Sequence, residues 1–249
     1  MSIIHHLNCV KIVSPLAPDV CGHCLLLKEE NKLILIDTGI GLLDTLHPLE
    51  RIGQAMIDRI GYRFDESWTA FRQIEGLKYD PASVTDCIIS HLDNDHIGGL
   101  ADFPQATVHV GYEELQNFQS GNPRYLTIPL DHKPEIKTYA TTDRDWFGIE
   151  ARKVAAETET EILLIPLFGH TSGHCGVAIH LNGKWILFTG DAYYLRAELD
   201  NPEHPVTQLA IMSADDNEMR IASLDKIRKL AMKYKEIEFF GYHDISEFN

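Results

Sequence analysis

The chain has 249 residues, enough for one large domain or two small ones. Its 44% hydrophobic and 24% charged residues are globular values, which exclude disorder, collagen and coiled coil. Lys and Arg number 22 against 37 Asp and Glu, and the resulting charge of −15 disfavours nucleic acid as a partner.

No apolar run reaches the roughly 18 residues that span a bilayer. The opening MSIIHHLNCV lacks the basic and apolar regions of a signal peptide, so the expected location is the cytoplasm. Five cysteines, Cys9, Cys21, Cys24, Cys87 and Cys175, make an odd set, and no disulfide framework is expected. Cys21-Gly-His-Cys24 abuts the apolar run Leu25-Leu26-Leu27 and has no second such pair, so it reads as buried strand thiols.

In chain order, Cys24 to Leu27 and Leu33 to Ile36 predict a hairpin about Lys28-Glu29-Glu30-Asn31. Pro48 opens a helical pattern with Leu49, Ile52, Met56 and Ile60 on one face. Trp68, Phe71, Ile74 and Leu77 predict a second helix, capped by Asp65 or Ser67. Asp80-Pro81 begins a short helical turn. Strands follow at 87–89 and 107–110. From Tyr112 to Arg152 the pattern weakens; Glu113 to Phe118 suits a helix, and Pro123, Pro129 and Pro134 predict an irregular excursion that contacts substrate. Strands return at 162–167, 176–181 and 185–189, with Asn182-Gly183 as a hairpin turn. Tyr194 to Ile211 reads as irregular. Leu224, Ile227, Leu230, Ala231 and Tyr234 predict a helix capped by Ser223, and 237–240 is the last strand. The alternation implies an α/β fold with two helix-covered sheets in one domain, residues 1–249.

Histidines and aspartates follow the strands directly. The segments are Ser90-His91-Leu92-Asp93-Asn94-Asp95-His96-Ile97-Gly98-Gly99, Gly169-His170-Thr171-Ser172-Gly173-His174, Gly190-Asp191-Ala192-Tyr193-Tyr194 and Gly241-Tyr242-His243-Asp244. Sites of α/β proteins assemble at strand ends, and imidazole with carboxylate suits zinc, iron or manganese. His174 suits a brace for its turn, and the remaining histidines stand outside any motif.

This order of motifs, from Ile36-Asp37-Thr38-Gly39 to the C-terminal His243-Asp244, resembles the metallo-β-lactamase-fold superfamily. The resemblance implies a four-layer αββα sandwich with two divalent metal ions at one edge. His91 and His170 would hold one ion; Asp95, His96 and His243 would hold the other; Asp191 would bridge them; and Asp37 would orient a ligand. The family pattern is H-x-H-x-D-H, and Asp93 stands where its second His belongs. A carboxylate there can serve as a ligand, and its charge makes the site harder and less electrophilic, so iron and manganese compete with zinc. Asp191-Ala192-Tyr193-Tyr194 is similar to the segment of N-acyl homoserine lactonases in which a Tyr touches the substrate carbonyl, which assigns that role to Tyr194.

The expected activity is hydrolysis of a small carbonyl ester, lactone or thioester by a metal-bridging hydroxide, with Asp95 orienting the hydroxide and Tyr194 assisting. A small-molecule phosphodiesterase and an iron-dependent redox enzyme of the sulfur dioxygenase kind are the rival expectations. No membrane partner is expected, and the sequence does not fix the oligomeric state.

Overall fold

A computed structural model describes residues 2–14 and 17–248. Two antiparallel strands open the chain, β1 (Ile3–Ser14) and β2 (Ala17–Glu29), and a tight turn leads to β3 (Lys32–Ile36). The β2–β3 pair is the expected hairpin. Its partner β1 has no sequence counterpart in the reading above: His5-His6 and a register shift after Asn8 blur its alternation.

After an unanticipated short helix, α1 (Leu42–Leu46), the expected helix at 48–60 is two pieces, α2 (Pro48–Arg51) and α3 (Gln54–Ile60). Gly53, at φ 87°, supplies the break before α3, a conformation that residues with a Cβ rarely adopt. The two-residue β4 (Tyr62–Arg63) adds to the edge of β1. Asp65 caps a 3₁₀ turn through Ser67 N, whereas Thr69 caps α4 (Ala70–Gly76) through Arg72 N. Asp80 caps the turn at Pro81–Ser83, as its sequence predicts. Then come β5 (Val84–Ile88), α5 (Asn94–Ile97), β6 (Thr107–Gly111) and α6 (Tyr112–Gln119).

The segment expected to be irregular adds three strands, β7 (Ile136–Tyr139), β8 (Arg144–Trp146) and β9 (Ile149–Lys153). They are short, β7 and β8 lie at sheet edges, and few of their residues are buried, so their composition carries little apolar alternation. The first sheet has the order β4-β1-β2-β3-β5-β6-β7. The second is built on β8 and β9 with β10 (Glu161–Pro166), β11 (Cys175–Leu181), β12 (Lys184–Phe188) and β13 (Glu238–Phe240), in the order β13-β12-β11-β10-β9-β8. Asn182 and Gly183, both at positive φ, turn β11 into β12.

Between β12 and β13 lie α7 (Ala197–Asp200), α8 (Val206–Ser213) and α9 (Asn217–Lys233), so 194–211 is partly helical. Asp216, not Ser223, caps α9 by accepting from Met219 N. Ser223 is inside the helix and donates to Phe168 O.

Alternation along β10 shows the layering. Ile162 and Leu164 point into a cluster shared with Ile34, Ile36 and Ile88 of the first sheet. Leu163 and Ile165 point the other way, onto Leu224, Ile227 and Leu230 of α9. Ile52, Ile74 and Leu100 of the other helical segments pack into the first cluster. The result is an α/β fold in which helices cover two packed sheets. Cys9, Cys21, Cys24, Cys87 and Cys175 are all buried and free, with Cys21 and Cys24 on β2. Among the described residues no helix is long and apolar enough to cross a membrane.

Candidate metal centre

Five strands deliver the site. β3 leads to Asp37, β5 to Ser90 and His91, β10 to His170, β12 to Asp191 and β13 to His243. Two groups of donor atoms result, each within 4.8 Å of one another: His91, His170 and Asp191, and Asp95, His96 and His243. Asp191 joins them, with Oδ2 at 3.4 Å from His170 Nε2 and 3.3 Å from His243 Nε2, and Oδ1 at 3.4 Å from His96 Nε2.

The far side of each ring explains this convergence. Ser90 donates its backbone N–H (2.8 Å) and hydroxyl (2.7 Å) to the buried Asp37 carboxylate. Asp37 Oδ2 takes the Nδ1–H of His96 (2.7 Å), and Ser90 Oγ lies 3.0 Å from His91 Nδ1. His243 Nδ1 lies 2.9 Å from Cys21 O, which accepts its proton. With Nδ1 anchored, each ring turns its Nε2 to the centre. Gly98 and Gly99 let the chain after His96 pack on the β3 loop, since a Cβ on Gly99 would lie 2.6 Å from Thr38 O.

Burial pushes His91 well below the usual imidazole range, and His96 beside it adds to the effect. Burial works against ionisation of Asp191, yet the facing His243, His96 and His170 hold it well below the carboxylate range. His91 Nε2, His96 Nε2 and Asp191 Oδ1 are buried without a hydrogen-bond partner, a costly state unless another group completes them. For tetrahedral ligands at about 2.0–2.1 Å from a zinc ion, neighbouring donor atoms stand roughly 3.3–3.4 Å apart. The 3.3–3.4 Å spacings around Asp191 match that figure and are long for hydrogen bonds. The donor set therefore fits divalent metal ions.

The Metallo-beta-lactamase superfamily profile matches residues 19–233. A probable metallo-hydrolase of Mycobacterium tuberculosis is 35% identical over 204 residues, 79% of this chain and 64% of that one. The chain belongs to the metallo-β-lactamase superfamily. It spans about two thirds of the length of that mycobacterial relative. An N-acyl homoserine lactonase of a Bacillus species is 26% identical over 225 residues, 90% of this chain and 81% of that one. Among solved structures, an N-acyl homoserine lactone hydrolase with N-hexanoyl-L-homoserine at its catalytic metal centre superposes with TM-score 0.72 at 22% identity, over 99% of this chain and 94% of that one. That likeness concerns the fold.

Against the superfamily pattern, Asp93 is the odd position. Its Oδ2 lies 3.3 Å from His91 Nε2 and 3.2 Å from His170 Nε2, but both oxygens are taken by Arg124. Burial works against its ionisation, and the Arg124 guanidinium holds it well below the carboxylate range. Tyr194 shares a 2.5 Å hydrogen bond with Ser213 Oγ and sets its ring edge toward His170 and His243. His174 braces its turn: Nδ1 is 2.9 Å from Leu167 O, and Nε2 accepts from Asp191 N at 3.0 Å.

Three neighbours of the centre escaped the sequence reading. Glu114, fully buried on α6, accepts from Leu92 N (2.8 Å), Tyr125 OH (2.9 Å) and Thr171 Oγ1 (2.6 Å), so it ties the His91 loop to the His170 loop. Tyr242 packs on the His96 ring and donates to Asp95 O. The third is Arg124. Glu114 and Arg124 lie in a segment with no motif of its own; the one signal for Tyr242 was its place beside His243.

Proposed function

We propose that this chain is a metal-dependent hydrolase of a small carbonyl ester, lactone or thioester, with a dinuclear site. The observation that carries it is Asp191, whose two oxygens face both groups of donors, with its own Oδ1, His91 Nε2 and His96 Nε2 buried and partnerless. In this reading His91, His170 and Asp191 hold one ion, Asp95, His96, His243 and Asp191 hold the other, and zinc is the first candidate for both. Bound ions would lower the pKa of water toward neutrality and polarise a carbonyl. The protein's part is to aim the ligand rings. Asp37 and Ser90 do so for His91 and His96, and Cys21 O does so for His243. Tyr194, kept protonated by burial, donates to the oxygen that gains charge, exchanging its bond to Ser213 for one to substrate. Asp95 orients the attacking water.

The sequence similarity to lactonases supports a lactone or ester over a phosphodiester, and the net charge of −15 supports a small substrate. Interior packing shared by both sheets supports a single domain over 1–249. The test is turnover by metal-loaded protein on N-acyl homoserine lactones, simple lactones, aryl esters and thioesters, beside bis(p-nitrophenyl) phosphate. Chelator-sensitive ring opening or ester cleavage is expected. Turnover of the phosphodiester alone would replace this reading.

A further inference from the structure

Asp93 brings a negative charge where the superfamily pattern has a neutral ring, and the structure shows what meets it. Arg124, on the loop after α6, forks onto the carboxylate with Nε at 2.6 Å from Oδ1 and Nη2 at 2.5 Å from Oδ2. Nη2 also lies 2.8 Å from His170 Nε2, the atom that faces Asp191. Nη1 donates to Ser213 O and lies 3.4 Å from Asp215 Oδ1. Asp215 Oδ2 in turn accepts from Ser172 N (3.0 Å) and Asn117 Nδ2 (2.8 Å), which fixes it between α6 and the His170 loop. Both members of the pair are largely buried, at 16% and 17% side-chain exposure, so solvent screens them little.

We propose that Asp93 and Arg124 act together as one neutral unit in place of an imidazole, and that Arg124 competes with a metal ion for His170. The inference rests on the two-metal reading above. Two consequences follow from the geometry. An N–H donated to His170 Nε2 occupies the lone pair that a metal needs, so the His91/His170/Asp191 position is the weaker of the two. Asp93 cancels the guanidinium charge that would otherwise repel an ion at that position, so the carboxylate and the cation are coupled. Arg124 is on this account a positioning residue, acting through Asp93 and His170.

The test is titration of metal-free protein with zinc, followed by calorimetry, and with cobalt, followed by its visible spectrum. Wild type is expected to take up two ions with unequal affinity. Arg124→Gln should tighten the weaker step by about 10–100-fold, the range over which supporting groups tune metal affinity, and leave the tighter step unchanged. Asp93→His alone should weaken the same step by a similar factor, because the cation loses its counter-charge. The double variant Asp93→His/Arg124→Gln should bind about as tightly as Arg124→Gln, because without the cation the lost counter-charge costs nothing; independent effects would instead multiply back to about wild type, and the difference is the failure of additivity that marks coupled sites. Arg124→Lys, which keeps the charge but loses the fork onto Asp93 and His170, should tighten the weaker step by less than Arg124→Gln and so separates charge from the donated N–H. Equal affinities in wild type, weaker binding in Arg124→Gln, or effects that simply multiply in the double variant would each overturn the inference while leaving the metal site standing. Wild type that binds no metal would overturn both this inference and the function it rests on.

Discussion

Asp191 has one oxygen toward His96 and the other toward His170 and His243, so it alone among the donors faces both groups. Asp191→Asn removes the charge while keeping the shape, and it should weaken both metal-binding steps by at least the roughly 10–100-fold that removal of a supporting partner costs. Elemental analysis after gel filtration reads this directly, and a loss confined to one ion would remove the bridge. Tyr194 calls for a different variant. Its hydroxyl touches Ser213, not a donor atom, so Tyr194→Phe should leave metal content unchanged. A well-placed oxyanion donor is worth about 10²–10³ in rate, near 3 kcal/mol, and the effect should fall on kcat more than on KM. Wild-type kcat in the variant on an accepted lactone excludes Tyr194 from the chemistry. At this scale the sequence was most legible: His91, Asp95, His96, His170, Asp191 and His243 follow strands within short motifs, and the structure brings them together. Arg124 and Glu114 were not legible, because outside a motif a buried charge has the same local sequence as an exposed one.

The elements that hold the site are joined by few side chains, and each junction can be cut. Glu114 on α6 fastens the loops after β5 and β10, and burial lifts its carboxyl to about 7 despite three donors that favour the charge. Glu114→Ala strands the Leu92 N–H and the Thr171 and Tyr125 hydroxyls. The expected loss is about 1–3 kcal/mol in urea unfolding for a buried group left unpaired, together with looser metal binding. Unchanged stability and metal affinity would show that the two loops need no staple. β2 supplies a pH prediction. Burial, with His6 at 2.6 Å, lowers His23 to about 3. The folded state therefore keeps His23 neutral while the unfolded chain takes up a proton below 6.5. Stability from this group is complete above pH 6.5 and falls as pH drops toward 3, by up to about 1.4 kcal/mol per pH unit. His23→Gln should flatten the stability profile of metal-free protein between pH 6.5 and 5, and an unaltered slope would mean that His23 is protonated in the fold. The hairpins β2–β3 and β11–β12 were readable from turn residues, and α9 from its apolar spacing. What failed were boundaries set by tertiary packing: the split of 48–60 at Gly53, the Asp216 cap and the short strands β7 to β9 at and beside the sheet edges.

Across the whole molecule, two sheets with one shared interior leave the ends of β3, β5, β10, β12 and β13 to converge on a single centre. The superfamily identity was visible in the motif order because strand-end ligands must appear in that order for the fold to gather them. The substrate was not visible, because the segments flanking the centre, 112–152 and 194–211, carry no motif that names it. The two-metal hydrolase reading is tested most directly by the rate of lactone hydrolysis as zinc is added stepwise to metal-free protein. The rate is predicted to rise to a plateau at two equivalents per chain. Hydrolysis that saturates at one equivalent, or no hydrolysis at any loading, would contradict the account.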